Sequence, residues 1–221
     1  KAASDFGAAI KINPKNAQAY NNRGFANWNR GANDDAIADF DQSIKLDPKN
    51  GQAYANRGTT YYDKRDYDRA ITDYNHALKI NPNYALAYYD RGVVYYDRHD
   101  YEKAAADLSK AIELDPRDSL AYYNRGLTFR AMGEMDKALA DFDQSIKLDP
   151  KNPLPYYNRG LAFRDKGDKD RAVADFSQSI RMDARNALAF YNRGLAYWDR
   201  KEYDKALADY QKAIQLNPGY A

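Results

Sequence analysis

Apolar and polar residues recur along this chain at spacings of three and four, the pattern of helices that bury one face. The pattern itself repeats. The tripeptide Asn-Arg-Gly ends at Gly24, Gly58, Gly126, Gly160 and Gly194, Asp-Arg-Gly fills the remaining slot at Gly92, and every step is 34 residues. A fixed period of this length marks a stack of supersecondary units in which each contacts only its neighbours. Counting position 1 from Ala17 gives six repeats, 17–50, 51–84, 85–118, 119–152, 153–186 and 187–220. Residues 1–16 match the second helix of a partial repeat.

Each repeat predicts two helices. The first covers positions 2–14, with an aromatic at 4, Gly at 8 and in most repeats an aromatic at 11. Positions 15–17 supply a turn, with Gly31, Gly133 and Gly167 in three repeats. The second helix covers positions 18–31, with Ala at 20, an aromatic at 24, Ala or Ser at 27 and Ile or Leu at 28. Pro at 32 follows Asp or Asn and stops it, as at Pro48, Pro82 and Pro116. Gly inside a helix costs roughly 0.5–1 kcal/mol against Ala, so six in register need a packing reason. Close approach of paired helices supplies one, with Gly24 expected to face Ala36 and Tyr20 and Phe40 to fill the flanks.

Taken together, these slots resemble the tetratricopeptide repeat family, in an Asn-Arg-Gly variant of bacterial type. The resemblance covers nearly the whole chain. Departures are few: Asn27 at 11, Leu108 at 24, Ala184 at 32, and Ser43, Ser145 and Ser179 at 27. It implies an all-α, right-handed superhelical solenoid of antiparallel helix pairs, with first helices lining a concave groove.

Position 7, usually apolar in that family, is Arg23, Arg57, Arg91, Arg125, Arg159 and Arg193. Position 23 is Asp39, Asp73, Asp107, Asp141, Asp175 and Asp209. Because the two co-occur without exception, bidentate ion pairs between the paired helices are expected, in preference to a row of arginines awaiting an acidic ligand.

The resemblance places positions 2, 5, 6, 9, 12 and 13 in the groove. Position 6 gives Asn22, Asn56, Asn124, Asn158 and Asn192, interrupted by Asp90. Such a column resembles the asparagine ladder of some family members, where amides grip an extended peptide backbone. Position 5 gives Tyr89, Tyr123, Tyr157 and Tyr191, and position 9 gives Leu127, Leu161 and Leu195 in the last three repeats. Arg130 and Arg164 at position 12 add a basic spot. The groove is thus expected to be polar over the first two repeats and apolar over the last four, suited to a peptide or amphipathic segment. The Lys at 5 and Asn at 9 of the family's carboxylate clamp are absent, which argues against that mode.

Composition narrows the rest. A balance of 34 basic and 32 acidic residues, net +2, gives no bulk attraction for nucleic acid or anionic membrane. With no Cys, thiolate chemistry and disulfides are excluded. His76 and His99 have no metal-ligand partner at helical spacing, and no cofactor or metal is expected. No apolar run approaches the ~20 residues of a membrane span, and the compartment is open between cytoplasm and periplasm. The expected function is a non-catalytic scaffold that binds a protein or peptide. The alternatives are a module that stacks end to end into homo-oligomers through uncapped ends and, remotely, an RNA-binding helical repeat.

Overall fold

The computed structural model describes residues 2–220. Lys1, which opens the partial repeat, and Ala221 lie outside the described residues. Among the described residues are thirteen α-helices and no strand. They are α1 (Ala2–Ile12), α2 (Ala17–Trp28), α3 (Asn33–Leu46), α4 (Gly51–Asp63), α5 (Tyr67–Ile80), α6 (Ala85–Asp97), α7 (Tyr101–Leu114), α8 (Ser119–Ala131), α9 (Met135–Leu148), α10 (Pro153–Asp165), α11 (Lys169–Met182), α12 (Ala187–Asp199) and α13 (Tyr203–Leu216). A 3-10 turn, Pro218–Tyr220, follows. The chain divides into two compact bodies, residues 1–116 and 117–221.

The helices start and end slightly earlier than the pattern predicts, and the termini explain why. First helices begin at position 1 because the preceding residue caps them: Asn16, Asn50, Asp118, Asn152 and Asn186 each accept a backbone N–H with the side chain. They stop at 12 or 13 because position 15 takes the left-handed conformation in every repeat. Gly31, Gly133 and Gly167 do so with φ of 75–80°, and Arg65, His99 and Lys201 with φ of 60–62°. Bonds from Gly31 N to Trp28 O and from Ala32 N to Asn27 O close the helix end.

Within a repeat the two helices run antiparallel, since late residues of the first meet early residues of the second. Tyr96 touches Tyr101, Arg69 lies over Tyr61, and Arg57 pairs with Asp73. Neighbouring repeats pack in chain order inside each body, α3 on α4 and α5 on α6 in the first, α9 on α10 and α11 on α12 in the second. The core follows the same order: Ala36, Ala70, Ala104, Ala138, Ala172 and Ala206 are fully buried.

The glycine at position 8 answers chiefly to the side chain at 24. A Cβ on Gly126 would stand 2.7 Å from the Phe142 ring and one on Gly194 2.6 Å from Tyr210. The alanine at 20 enters only through its carbonyl, with Ala36 O at 3.1 Å from the same point on Gly24. Leu108 takes the aromatic's place without loss of burial. Asn27, where an aromatic is usual, donates to Asp39 at 3.0 Å. Ser145 Oγ donates to Ser119 O at 2.9 Å, whereas buried Ser179 Oγ has no hydrogen-bond partner among the described residues.

Candidate peptide-binding face

The six arginines at position 7 face inward. Each donates from Nε and one terminal nitrogen to both carboxylate oxygens of its aspartate, at 2.5–2.9 Å, from Arg23–Asp39 to Arg193–Asp209. The aspartates are buried. The remaining guanidinium nitrogen reaches back one repeat, to Asp41 from Arg57, to Asn75 from Arg91, to Asp143 from Arg159 and to Ser177 from Arg193. Arg57 also lies over the rings of Tyr54 and Tyr61. Burial works against its charge, yet the bonds to Asp73 and Asp41 hold its pKa above the ordinary value. All six arginines are occupied, and Arg57, Arg91, Arg159 and Arg193 each join three helices.

At three places inside the bodies position 6 pairs with position 5 of the repeat before it. Asn56 Nδ2 donates to Asn21 Oδ1, Asn158 Nδ2 to the Tyr123 hydroxyl and Asn192 Nδ2 to the Tyr157 hydroxyl, each at 3.0 Å. The amides of Asn124, Asn158 and Asn192 also donate to the carbonyls of Leu120, Leu154 and Leu188. Asn22 accepts from Gln18 at 2.8 Å. Tyr123, Tyr157 and Tyr191 rest on Phe142, Phe176 and Tyr210. In the second body the floor of the first-helix face is therefore filled by tyrosines, of which Tyr123 and Tyr157 are held in place by Asn158 and Asn192.

What this face offers to solvent is apolar. Leu120, Leu154 and Leu188 in the second body are 45–47% exposed, and Leu127, Leu161 and Leu195 beside them are partly buried. The basic spot is partly neutralised: Arg130 donates to Asp165 at 3.4 Å, and Arg164 reaches Asp165 and donates to Asn192 Oδ1 at 2.5 Å. Position 12 in general donates to position 13 of the next repeat, Trp28 to Asp63 at 2.6 Å and Tyr62 to Asp97 at 2.7 Å. His76 and His99 are exposed, and His99 contacts the Tyr101 hydroxyl. Among the described residues no cluster of His, Cys, Asp and Glu is placed to hold a metal ion, and no helix is long and apolar enough to cross a membrane.

The first body departs from this plan at one place. The face expected to be polar there opens into a cavity of about 180 Å³ lined by Phe25, Trp28, Ala55, Asn56, Thr59, Tyr84, Leu86 and Asp90. Asp90 is partly buried, and burial pushes its carboxyl up to about 7 against the opposing hydrogen bond of Thr59. The sequence pattern alone marked Asp90 only as a gap in the asparagine column. Its signal was the coincidence of three breaks in the period, Ala55 at position 5, Tyr84 at position 34 and Asp90 at position 6.

Models of the tetratricopeptide repeat match residues 17–50 and 187–220, 89–153, and 40–72 and 142–174, and a model described as a TPR repeat matches 59–99 and 160–200. Helix pairs packed in chain order with no strand among the described residues agree with that assignment. The chain belongs to the tetratricopeptide repeat family. Among solved structures it is similar to YrrB, described as a TPR protein with an unusual peptide-binding site, at 26% identity and a TM-score of 0.71 over 85% of this chain and 97% of that one. It is also similar to MamA, at 27% identity and a TM-score of 0.70 over 73% of this chain and 95% of that one. The Pseudomonas aeruginosa pilF structure shares the fold, at 20% identity and a TM-score of 0.82 over 92% of each chain. No curated protein matches the sequence.

Proposed function

We propose that this chain is a non-catalytic scaffold that binds a peptide or amphipathic protein segment on its first-helix face, the six repeats acting as the units of recognition. The observation that carries this reading is the set of leucines at position 2, about half exposed beside the tyrosines of position 5. Large apolar side chains left in water over held, close-packed rings suit a partner's side chains better than a structural task. The peptide-binding site named for YrrB is in keeping with it. Asn158 and Asn192 are buried with their amide hydrogens engaged, and the Asn192 oxygen accepts from Arg164, so they serve a ligand by fixing Tyr123 and Tyr157. Peptides selected from a random display library on the full chain are expected to bind, and Leu154→Asp, at an exposed site, to weaken them at least ~10-fold with helicity unchanged. Failure of selection, or equal affinity of the variant, rejects the reading.

A second reading, end-to-end association of copies, rests on α13. Positions 21 and 28 of α11, Val173 and Ile180, are buried where α12 packs on that helix, but the equivalent Leu207 and Ile214 of α13 are 57% and 38% exposed.

A further inference from the structure

We infer that the cavity between the first helices of repeats one to three is a pocket for one cationic side chain, lysine or arginine, of a bound peptide. This rests on the reading of the first-helix face as a peptide site and names the chemistry of one subsite in it.

The pocket exists because the repeat breaks its own rules at converging positions. At Asn56, Asn158 and Asn192 the amide at position 6 bonds a polar side chain at position 5 of the preceding repeat. Here position 5 is Ala55, which fills no space and offers no hydrogen bond, and position 6 is Asp90. The residue before α6 breaks another rule. It is Tyr84 where five other first helices have a capping Asn or Asp, and it makes no side-chain cap. Giving up a cap leaves a helix N-terminus less well satisfied. In exchange a ring enters the cavity wall. Loss of bulk, of a hydrogen-bond partner and of a cap at unrelated sequence positions would be three separate defects in a structural account. They meet at one concave site.

The lining specifies the occupant. One carboxylate, Asp90, lines the cavity together with the rings of Phe25, Trp28 and Tyr84, the Phe25 and Trp28 centroids being 5.4 Å apart. Among the described residues no Lys or Arg forms an ion pair with Asp90, although every other arginine–aspartate relation of the repeat is satisfied in place. Aromatic faces around an anion favour a desolvated ammonium or guanidinium. At about 180 Å³ the space is below the roughly 300 Å³ at which small-molecule sites begin, and it suits one side chain entering from an extended segment. Leu86, 54% exposed at the rim, favours an apolar neighbour on the ligand.

The groups facing Asp90 are Thr59 on α4, Tyr74 on α5 and Tyr84 ahead of α6. Both phenols are held above their ordinary pKa, chiefly by burial, so Asp90 is the group that changes charge there between pH 5 and 8. The other carboxylate at this corner, Asp63, accepts from Trp28.

The test uses the full chain carrying Trp198→Phe, which leaves Trp28 as the fluorescent reporter. The probes are blocked peptides acetyl-Leu-Ala-X-Leu-Ala-amide with X as lysine, arginine, norleucine or glutamate. Lysine and arginine peptides are expected to bind about tenfold or more tightly than the norleucine isostere. That preference should weaken below pH 7 and vanish in Asp90→Asn. Equal affinity for lysine and norleucine, or a preference for glutamate, overturns the cationic pocket and leaves the peptide face standing. Binding of none of the four overturns the pocket, and the display selection then decides the face separately.

Discussion

At the scale of single residues, Asp90 shows how one change of side chain alters chemistry without altering fold. Its backbone occupies the same first-helix position as the asparagines of the column, but its carboxyl is harder to ionise in the folded protein than in the unfolded chain, where its pKa is near 3.8. The consequence has a definite sign. Below about pH 3 both states hold the proton and nothing is lost. Between there and pH 7 the unfolded chain ionises first, and above pH 7 the full destabilisation is present. Asp90→Asn is therefore expected to raise the melting temperature by a few degrees at pH 8 and to leave it unchanged at pH 3. Thermal melts followed by circular dichroism check this, and an equal effect at both pH values contradicts it.

At the scale of elements, the helix pair is held by groups whose worth lies in mutual satisfaction. A buried bidentate pair adds little beyond a well-packed apolar substitute, but removing one partner strands a charge at a cost of about 3–5 kcal/mol. Arg125 and Asp141 meet at 2.8 Å through both oxygens, and Asp141 is buried. Arg125→Ala is expected to lower the melting temperature by roughly 10 °C, and Arg125→Met with Asp141→Leu to recover most of it. A neutral Arg125→Ala would mean that the pair is not coupled to folding. The pairing of positions 7 and 23 was legible because two columns of opposite charge share one period. The third bond, back to position 25 of the preceding repeat, was not. The acceptors there are Asp41, Asn75, Asp143 and Ser177, and such varied residues show a common role only when each first helix is seen packed on the second helix before it.

At the scale of the molecule, the exposed side chains of α13 bear on assembly. If Leu207 and Ile214 meet another copy, molar mass by light scattering should rise with concentration, and Leu207→Lys should abolish the rise. A mass constant over a hundredfold range of concentration removes that reading. The 34-residue period, the stop of the second helices before proline, the small residues at 8 and 20 and the family were all determined by the sequence, because each is a local or periodic constraint that recurs from repeat to repeat. The cavity at Asp90 and the occupied state of the asparagine amides were decided by tertiary structure alone. Both depend on which side chain of the preceding repeat stands opposite, and a partner 35 residues away leaves no local pattern when the site's distinguishing feature is a break in the period.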